Sequence, residues 1–123
     1  MKEEISKYLE QNRTDEFKDM LFSIIDKKQY KDSDVYKRAG IDRKTFSKIR
    51  CGKHYIPRKN NIIKLCLSLS LDIDETNELL KSAGYQLSTN DDSDLIIRYF
   101  IQKNIFDLDL INRYLYALKG TVL

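Results

Sequence analysis

Apolar side chains recur at spacings of three and four residues along almost the whole chain, and this spacing limits what the chain can fold into. Ile5, Tyr8 and Leu9 begin the series, which continues close to the last residues. Such spacing places apolar side chains on one face of an α-helix. The 123 residues include only four glycines and one proline, too few for the turns of a β-sandwich or barrel. We therefore predict an all-α fold, a compact helical bundle without β-strands.

Turn and capping residues divide this series into eight helices. The predicted helices are 2–12; one capped by Thr14 and ending near residue 28; 33–39, capped by Asp32 or Ser33; 42–50, capped by Asp42 and closed by Gly52; 59–69; one capped by Asp74 and ended by Gly84; 93–103; and 107–118. The stretch STNDDSD is typical of a solvated linker. We predict one domain over residues 1–123, made of an N-terminal helix (1–13), a core (14–84) and a C-terminal helical extension (91–119).

Several classes of protein and site are not expected from this sequence. No segment is long and apolar enough to span a membrane, and the stretch MKEEISKYLEQNR is too charged for a secretory signal. Cys51 and Cys66 form no CxxC pair and only one histidine is present, so we expect no metal site and a reduced, cytoplasmic protein. Cys66 is expected in the core, and Cys51 as a plain thiol rather than a redox-sensitive one. Without a Ser/His/Asp set or a phosphate-binding glycine loop, neither catalysis nor a cofactor is expected.

Positive charge is concentrated in the middle of the chain, although the net charge of the whole is only +3. Residues 40–64 carry eight basic side chains and one acidic one, a net charge of +7, whereas residues 1–39 are neutral and residues 65–123 carry −4. A local excess of this size creates a directional field that favours a polyanionic partner. The alternative is an ordinary solvated helix face.

Two short helices joined by a three-residue turn through Gly40 have the spacing of a helix-turn-helix motif. Phe46 and Ile49 are the predicted buried pair of the second helix, so its other face is free for a ligand. On that face we predict contacts to DNA bases from Arg43, Lys44, Ser47 and Lys48, the first two being placed to reach guanine O6 and N7. We predict contacts to the DNA backbone from Ser33, Thr45, Arg50, Lys53, His54, Tyr55, Arg58 and Lys59.

The segment SDVYKRAGIDRKTFSKIRCGKHYIPRKNNIIKLCLSLSLDIDE resembles the lambda-repressor-like (Cro/repressor-type, Xre-like) helix-turn-helix domain. The resemblance covers about residues 14–84. It rests on the apolar–x–K–R–A–G approach to the turn, the I–x–R at its exit, the G–K after the second helix and the proline before the next. It implies DNA binding, usually as a dimer on a palindromic operator, and usually transcriptional control. It also implies base contacts at Arg43, Lys44, Ser47 and Lys48, and backbone contacts at Lys53 and Arg58.

Three residues depart from the pattern of that family. Tyr36 stands where the family usually has alanine, and Phe46 where it usually has isoleucine or valine. Two aromatic rings at one helix crossing are expected to change its angle or spacing, because packed cores resist added volume. Arg50 stands where the family prefers glutamate, and Asp26 is a candidate partner for its charge.

The sequence thus predicts a sequence-specific, double-stranded DNA-binding protein, a transcriptional regulator whose recognition helix (42–50) enters the major groove. The two apolar C-terminal helices are predicted to pair with those of a second chain in a homodimer; alternatively, they pack on the N-terminal helix of their own chain. A second function remains open, namely a protein-interaction or adaptor module, or an RNA binder with little sequence preference, that keeps the fold. Tyr36, Phe46 and the C-terminal helices favour it because they could contact a protein partner.

Overall fold

Eight α-helices and their connections make up the computed structural model of the protein, which describes residues 1–123 and contains no β-strand. The helices are α1 (Lys2–Asn12), α2 (Glu16–Lys28), α3 (Asp32–Arg38), α4 (Arg43–Cys51), α5 (Lys59–Ser68), α6 (Ile73–Ser82), α7 (Asp92–Gln102) and α8 (Leu108–Lys119). The all-α prediction is confirmed, and each helix begins and ends within two residues of its predicted bounds. No helix has both the length and the apolar character needed to cross a bilayer.

Helix α5 lies at the centre of the fold. Every residue from Leu65 to Leu69 is buried, as the dense apolar run of this segment predicts. Helices α3, α6 and α8 pack against α5, while α2 packs on α6 and α7 packs on α6 and α8. The buried apolar side chains form one continuous cluster that includes residues of both C-terminal helices. The C-terminal extension therefore shares its core with the helix-turn-helix region.

The N-cap of α6 is Asp72 rather than the predicted Asp74. The Asp72 carboxylate accepts a hydrogen bond from the Glu75 backbone N–H at 2.8 Å, and the Glu75 carboxylate accepts one from the Asp72 N–H at 3.1 Å. This reciprocal arrangement is a capping box, which requires the glutamate three residues after the cap. Only Asp72 has that spacing, so the choice of Asp74 was wrong.

Two other predicted caps are also wrong. Asp15, not Thr14, holds the N-cap position of α2, and its side chain makes no capping hydrogen bond. Lys31 holds the N-cap position of α3, so neither Asp32 nor Ser33 caps that helix. The Asp32 carboxylate instead pairs with a side chain of α4, which is described below.

The linker predicted to be solvated is fastened to the core at its end. Asp94 is buried, with 5 % of its surface exposed. Its carboxylate accepts hydrogen bonds from the Lys59 ammonium of α5 and from the Ser88 backbone N–H. A buried carboxylate needs such partners because removing a charge from water is costly. The first turn of α7 is thereby tied to the first turn of α5.

Helix α1 stands apart from this packing, because none of its residues is buried. Helices α7 and α8 pack against α5 and α6. The alternative in which the C-terminal helices pack on the N-terminal helix of the same chain is therefore wrong.

Candidate nucleic-acid interface

The turn between α3 and α4 depends on Gly40. Its φ of +65° lies in the left-handed region that glycine adopts without steric strain. The Gly40 N–H donates to the Lys37 carbonyl at 3.1 Å and the Ile41 N–H donates to the Tyr36 carbonyl at 2.9 Å, so the last carbonyls of α3 are satisfied. Ala39 and Ile41, on either side of the glycine, are buried. The two helices are therefore held in a fixed relation at their junction.

Helix α4 begins at the predicted cap. The Asp42 carboxylate accepts a hydrogen bond from the Thr45 backbone N–H at 2.7 Å. This bond lowers the pKa of Asp42 below its ordinary value, and the charges of Lys44 and Lys48 act in the same direction. The carboxylate is thus kept ionised at the N-terminus of α4, where negative charge also interacts favourably with the helix dipole.

One face of α4 is buried and the opposite face is exposed. Phe46 and Ile49 are 3 % and 1 % exposed, as predicted for the buried pair. The four predicted base-contacting residues share the exposed face and line one shallow concave surface, together with Cys51 and Gly52; they are Arg43, Lys44, Ser47 and Lys48. We call this four-residue set the α4 basic face. Three cations and one hydroxyl therefore lie side by side on the exposed face of α4.

An aromatic cluster fills the crossing of α3 and α4. The rings of Tyr36 and Phe46 lie 5.5 Å apart between centroids, and Phe22 of α2 meets Phe46 edge-on at 5.9 Å. Edge-on and tilted contacts at such distances are favourable for aromatic rings. The two bulky residues at the crossing are therefore packed rather than splayed. Sequence reasoning missed Phe22, and the one signal for it was its position next to Leu21 on the apolar side of α2.

Arg50 is engaged within the protein. Its Nε and Nη2 donate to the two carboxylate oxygens of Asp32 at 2.7 and 2.8 Å, and its guanidinium lies 4.0 Å above the ring of Phe22. The bonds to Asp32 raise the pKa of Arg50 above its ordinary value, and the nearby charge of Asp26 contributes further. The hydrogen-bonded partner is thus Asp32 and not Asp26. Asp32 is the first residue of α3.

The loop after α4 exposes three of the predicted backbone-contacting residues, which are Lys53, His54 and Arg58. Gly52 closes α4 at its C-cap, as predicted, with a φ of −71°, and the left-handed residue of the loop is His54, with a φ of +57°. Gly52 is needed for space, since a Cβ at this position would lie 2.5 Å from the Lys48 carbonyl oxygen. The loop can therefore follow α4 closely and carry its cations beside the α4 basic face.

The other predicted backbone-contacting residues are less free. Ser33 and Thr45 are half-buried in the first turns of α3 and α4, and Tyr55 is half-buried against the core. The Lys59 ammonium donates a hydrogen bond to the Asp94 carboxylate, and Arg50 pairs with Asp32. Carboxylates thus already match the charges of two of the twelve predicted residues.

The two thiols lie in different environments. Cys66 is buried, and burial raises the pKa of its thiol to about 12, so it stays protonated in the core. Cys51 is exposed at the end of α4. No group of three or more His, Cys, Asp or Glu side chains is arranged to hold a metal ion.

Comparison with protein families assigns the helix-turn-helix region. The family model of the Cro/C1-type HTH DNA-binding domain matches residues 20–81, half of the chain, from α2 to the last turn of α6. The chain belongs to the Cro/C1-type family. Its DNA-binding domain contains the turn through Gly40, the α4 basic face and the loop with Lys53 and Arg58. The predicted resemblance to the lambda-repressor-like domain is confirmed.

Three helices of this Cro/C1-type protein, α1, α7 and α8, lie outside the matched residues. No curated protein and no solved structure matched the chain. The comparisons therefore assign no role to α1, α7 or α8.

Proposed function

We propose that this Cro/C1-type protein regulates transcription by binding specific sequences of double-stranded DNA as a homodimer. In this proposal α4 is the recognition helix and enters the major groove. The activity is binding alone, without catalysis. Detection of a hydrolase or transferase activity that a single substitution abolishes would contradict that part of the proposal.

The observation that carries the proposal is the α4 basic face. A helix with its side chains is about 10–12 Å across, and the major groove of B-DNA is about 12 Å wide. Arg43 and Lys44 lie in the first turn of α4, where side chains reach deepest into the groove, and both can donate to guanine O6 and N7. Ser47 and Lys48 lie one turn later on the same face. Phe46 and Ile49 anchor the opposite face and fix this orientation.

Contacts to the phosphates are proposed for the residues around this helix. Lys53, His54 and Arg58 are exposed beside α4 and carry no carboxylate partner in the structure. The side chains of the half-buried Ser33, Thr45 and Tyr55 are uncharged and can donate hydrogen bonds to phosphates only from their hydroxyls. Arg50 and Lys59 would contribute less to the attraction of phosphates, because Asp32 and Asp94 already compensate their charges.

A protein-interaction or adaptor module is the second candidate. The observation that favours it is a concave apolar surface between α7 and α8, outside the residues that match the family. Such a surface can bind a protein. Under this alternative the α4 basic face would hold an acidic protein, or RNA with little sequence preference.

Selection of random duplex DNA by the purified full chain, followed by sequencing, separates these functions. At about 150 mM salt, where long-range attraction is strongly screened, the proposal predicts an enriched palindrome. Its half-sites should lie about one helical turn apart, because a two-fold dimer presents its recognition helices at that spacing. A folded protein that enriches no sequence, and that binds heparin as well as duplex DNA, would contradict the proposal and support the adaptor.

A further inference from the structure

Helix α1 carries an apolar stripe that nothing in its own chain covers. Ile5, Tyr8 and Leu9 lie at i, i+3 and i+4, hence on one side of the helix, and they are 53 %, 65 % and 41 % exposed. Lys7 and Glu10 lie on the other side of α1. We call the three apolar residues the α1 stripe.

The helical state of α1 requires a stabilising contact. An isolated helix shorter than about 12–15 residues is only marginally stable in water, and most helices in proteins gain their stability by packing an apolar face. Helix α1 has 11 residues, buries none of them and has no side-chain cap at its N-terminus. The α1 stripe is the only apolar face through which it can gain that stability.

A matching surface lies at the far end of the sequence. The cavity between α7 and α8 has a volume of about 770 Å³ and is lined mainly by apolar side chains, among them Leu95, Tyr99, Leu110, Tyr114 and Leu118. Tyr99, Tyr114 and Leu118 remain 56 %, 48 % and 65 % exposed. We call this cavity the α7–α8 groove. A salt bridge of 3.0 Å between Lys119 and Asp92 borders it.

The dimensions of the two surfaces agree. At a rise of about 1.5 Å per residue, α1 is roughly 16 Å long, as is α7, which also has 11 residues. An amphipathic helix that lays anchors at i, i+3 and i+4 into an apolar groove between two helices is a common mode of recognition. The α1 stripe provides those anchors, and the α7–α8 groove provides their site.

We propose that the α1 stripe of one copy docks in the α7–α8 groove of a second copy, and that the two copies exchange α1 in this way. Each chain carries both surfaces, so the exchange makes two equivalent contacts and closes with two-fold symmetry. A stable interface buries on the order of 1,600 Å² in total, hence about 800 Å² for each contact. A buried aromatic ring supplies about 150–250 Å², and each contact brings together three exposed tyrosines.

This exchange supplies the contact for the homodimer of the proposed function, but its test needs no DNA. The dimer is measured by sedimentation equilibrium with the full chain, and helical content by circular dichroism. The variant Ile5→Asp/Leu9→Asp removes the stripe and leaves the groove. The variant Tyr114→Asp/Leu118→Asp removes the groove and leaves the stripe. Each variant alone should raise the dimer dissociation constant about 30-fold or more, the change expected for loss of an interface hot spot.

The decisive measurement mixes the two variants. The intact stripe of the second variant can enter the intact groove of the first, so one of the two contacts survives in the mixed pair. We expect the equimolar mixture to form dimers at concentrations at which each variant alone is a monomer. Lys7→Asp, on the polar side of α1, is the matched control and should behave as wild type.

Three outcomes would overturn the exchange. If the stripe variant still dimerises as wild type does, the α7–α8 groove pairs with its counterpart directly. If both variants are monomers and their mixture stays monomeric, the stripe and groove do not meet across copies. If the wild type is itself monomeric, α1 docks elsewhere. None of these results depends on selection of a DNA sequence. The exchange can therefore fail while sequence-specific DNA binding stands, and DNA binding can fail while the exchange stands.

Discussion

The charge of a single residue, Asp42, supports the start of helix α4. Because the folded-state pKa of Asp42 is lowered from its ordinary value of 3.8, its ionised carboxylate stabilises the fold at pH values above 3.8. That contribution is lost as the pH falls below 3.8 and through the lowered pKa. We expect the Thr45 amide resonance, followed by NMR during an acid titration, to shift with a midpoint below 3.8.

The control for this prediction is Asp42→Asn. Asparagine is a good N-cap but does not ionise, so the variant should keep α4 and lose the titration of the Thr45 amide. A wild-type midpoint at or above 3.8 would show that the cap does not favour the ionised carboxylate.

Arg43 and Lys53 are predicted to affect DNA binding in different ways. Loss of a base contact through Arg43→Ala should cost about 1–3 kcal/mol of binding free energy on the preferred DNA sequence. It should also remove the preference for one base at one position of that sequence. Loss of a phosphate contact through Lys53→Ala should weaken binding to all sequences alike. It should also lower the magnitude of the slope of the logarithm of the binding constant against the logarithm of salt concentration by about 1. Titrations of preferred and scrambled duplexes at several salt concentrations measure both effects. An unchanged preferred sequence in Arg43→Ala would contradict the base contact.

At the scale of residues, the sequence predicted the α4 basic face but missed the partners of its neighbours. Buried Phe46 and Ile49 follow from local periodicity, and they determine where the basic residues point. The partners of Arg50 and Lys59 are 18 and 35 residues away along the chain. Such pairs depend on how helices pack, which local spacing does not encode.

At the scale of helices, the crossing of α3 and α4 should behave as one aromatic unit. We expect Tyr36→Leu and Phe46→Leu to be non-additive, with a coupling of about 0.5–1.5 kcal/mol between the rings, measured by urea unfolding of both single variants and the double variant. Tyr116→Leu is the control, because Tyr116 is 68 % exposed and should couple to Phe46→Leu by less than about 0.5 kcal/mol. Additive effects of Tyr36→Leu and Phe46→Leu would mean that the ring contact contributes no stability of its own.

Helices were easier to predict than their caps. Apolar spacing repeats over ten or more residues, so an error of one residue hardly moves a helix. A cap depends on one side chain, and the same carboxylate can serve another purpose, as Asp32 does when it pairs with Arg50. In the stretch LDIDE, only the spacing to Glu75 distinguishes Asp72 from Asp74.

At the scale of the whole molecule, one partly buried ion pair, between Lys59 and Asp94, joins the two halves of the sequence. Asp94→Asn would leave the Lys59 ammonium without a counter-charge, and we expect a loss of about 1–3 kcal/mol in the free energy of unfolding. Asp92→Asn breaks the exposed pair with Lys119 and should cost less than about 1 kcal/mol. Urea unfolding of both variants checks the contrast. Equal losses in the two variants would mean that the burial of Asp94 adds nothing to the stability that its ion pair provides.

The overall distribution of charge and the class of fold were predictable from the sequence, whereas the assembly of helices was not. The excess of positive charge in residues 40–64 is a property of composition alone. Whether α7 and α8 cover α1 or the core depends on which apolar faces fit together. The structure places them on α5 and α6, which leaves both the α1 stripe and the α7–α8 groove exposed.

The pair of Lys59 and Asp94 lies between the two binding sites proposed above. Lys59 follows Arg58, a proposed phosphate contact, and Asp94 precedes Leu95, which lines the α7–α8 groove. Under the two proposals, filling the groove would restrain one end of this bridge, and a phosphate held by Arg58 would restrain the other. Thermodynamic linkage then applies: any factor by which DNA strengthens the association of two copies is also the factor by which that association strengthens the hold on DNA.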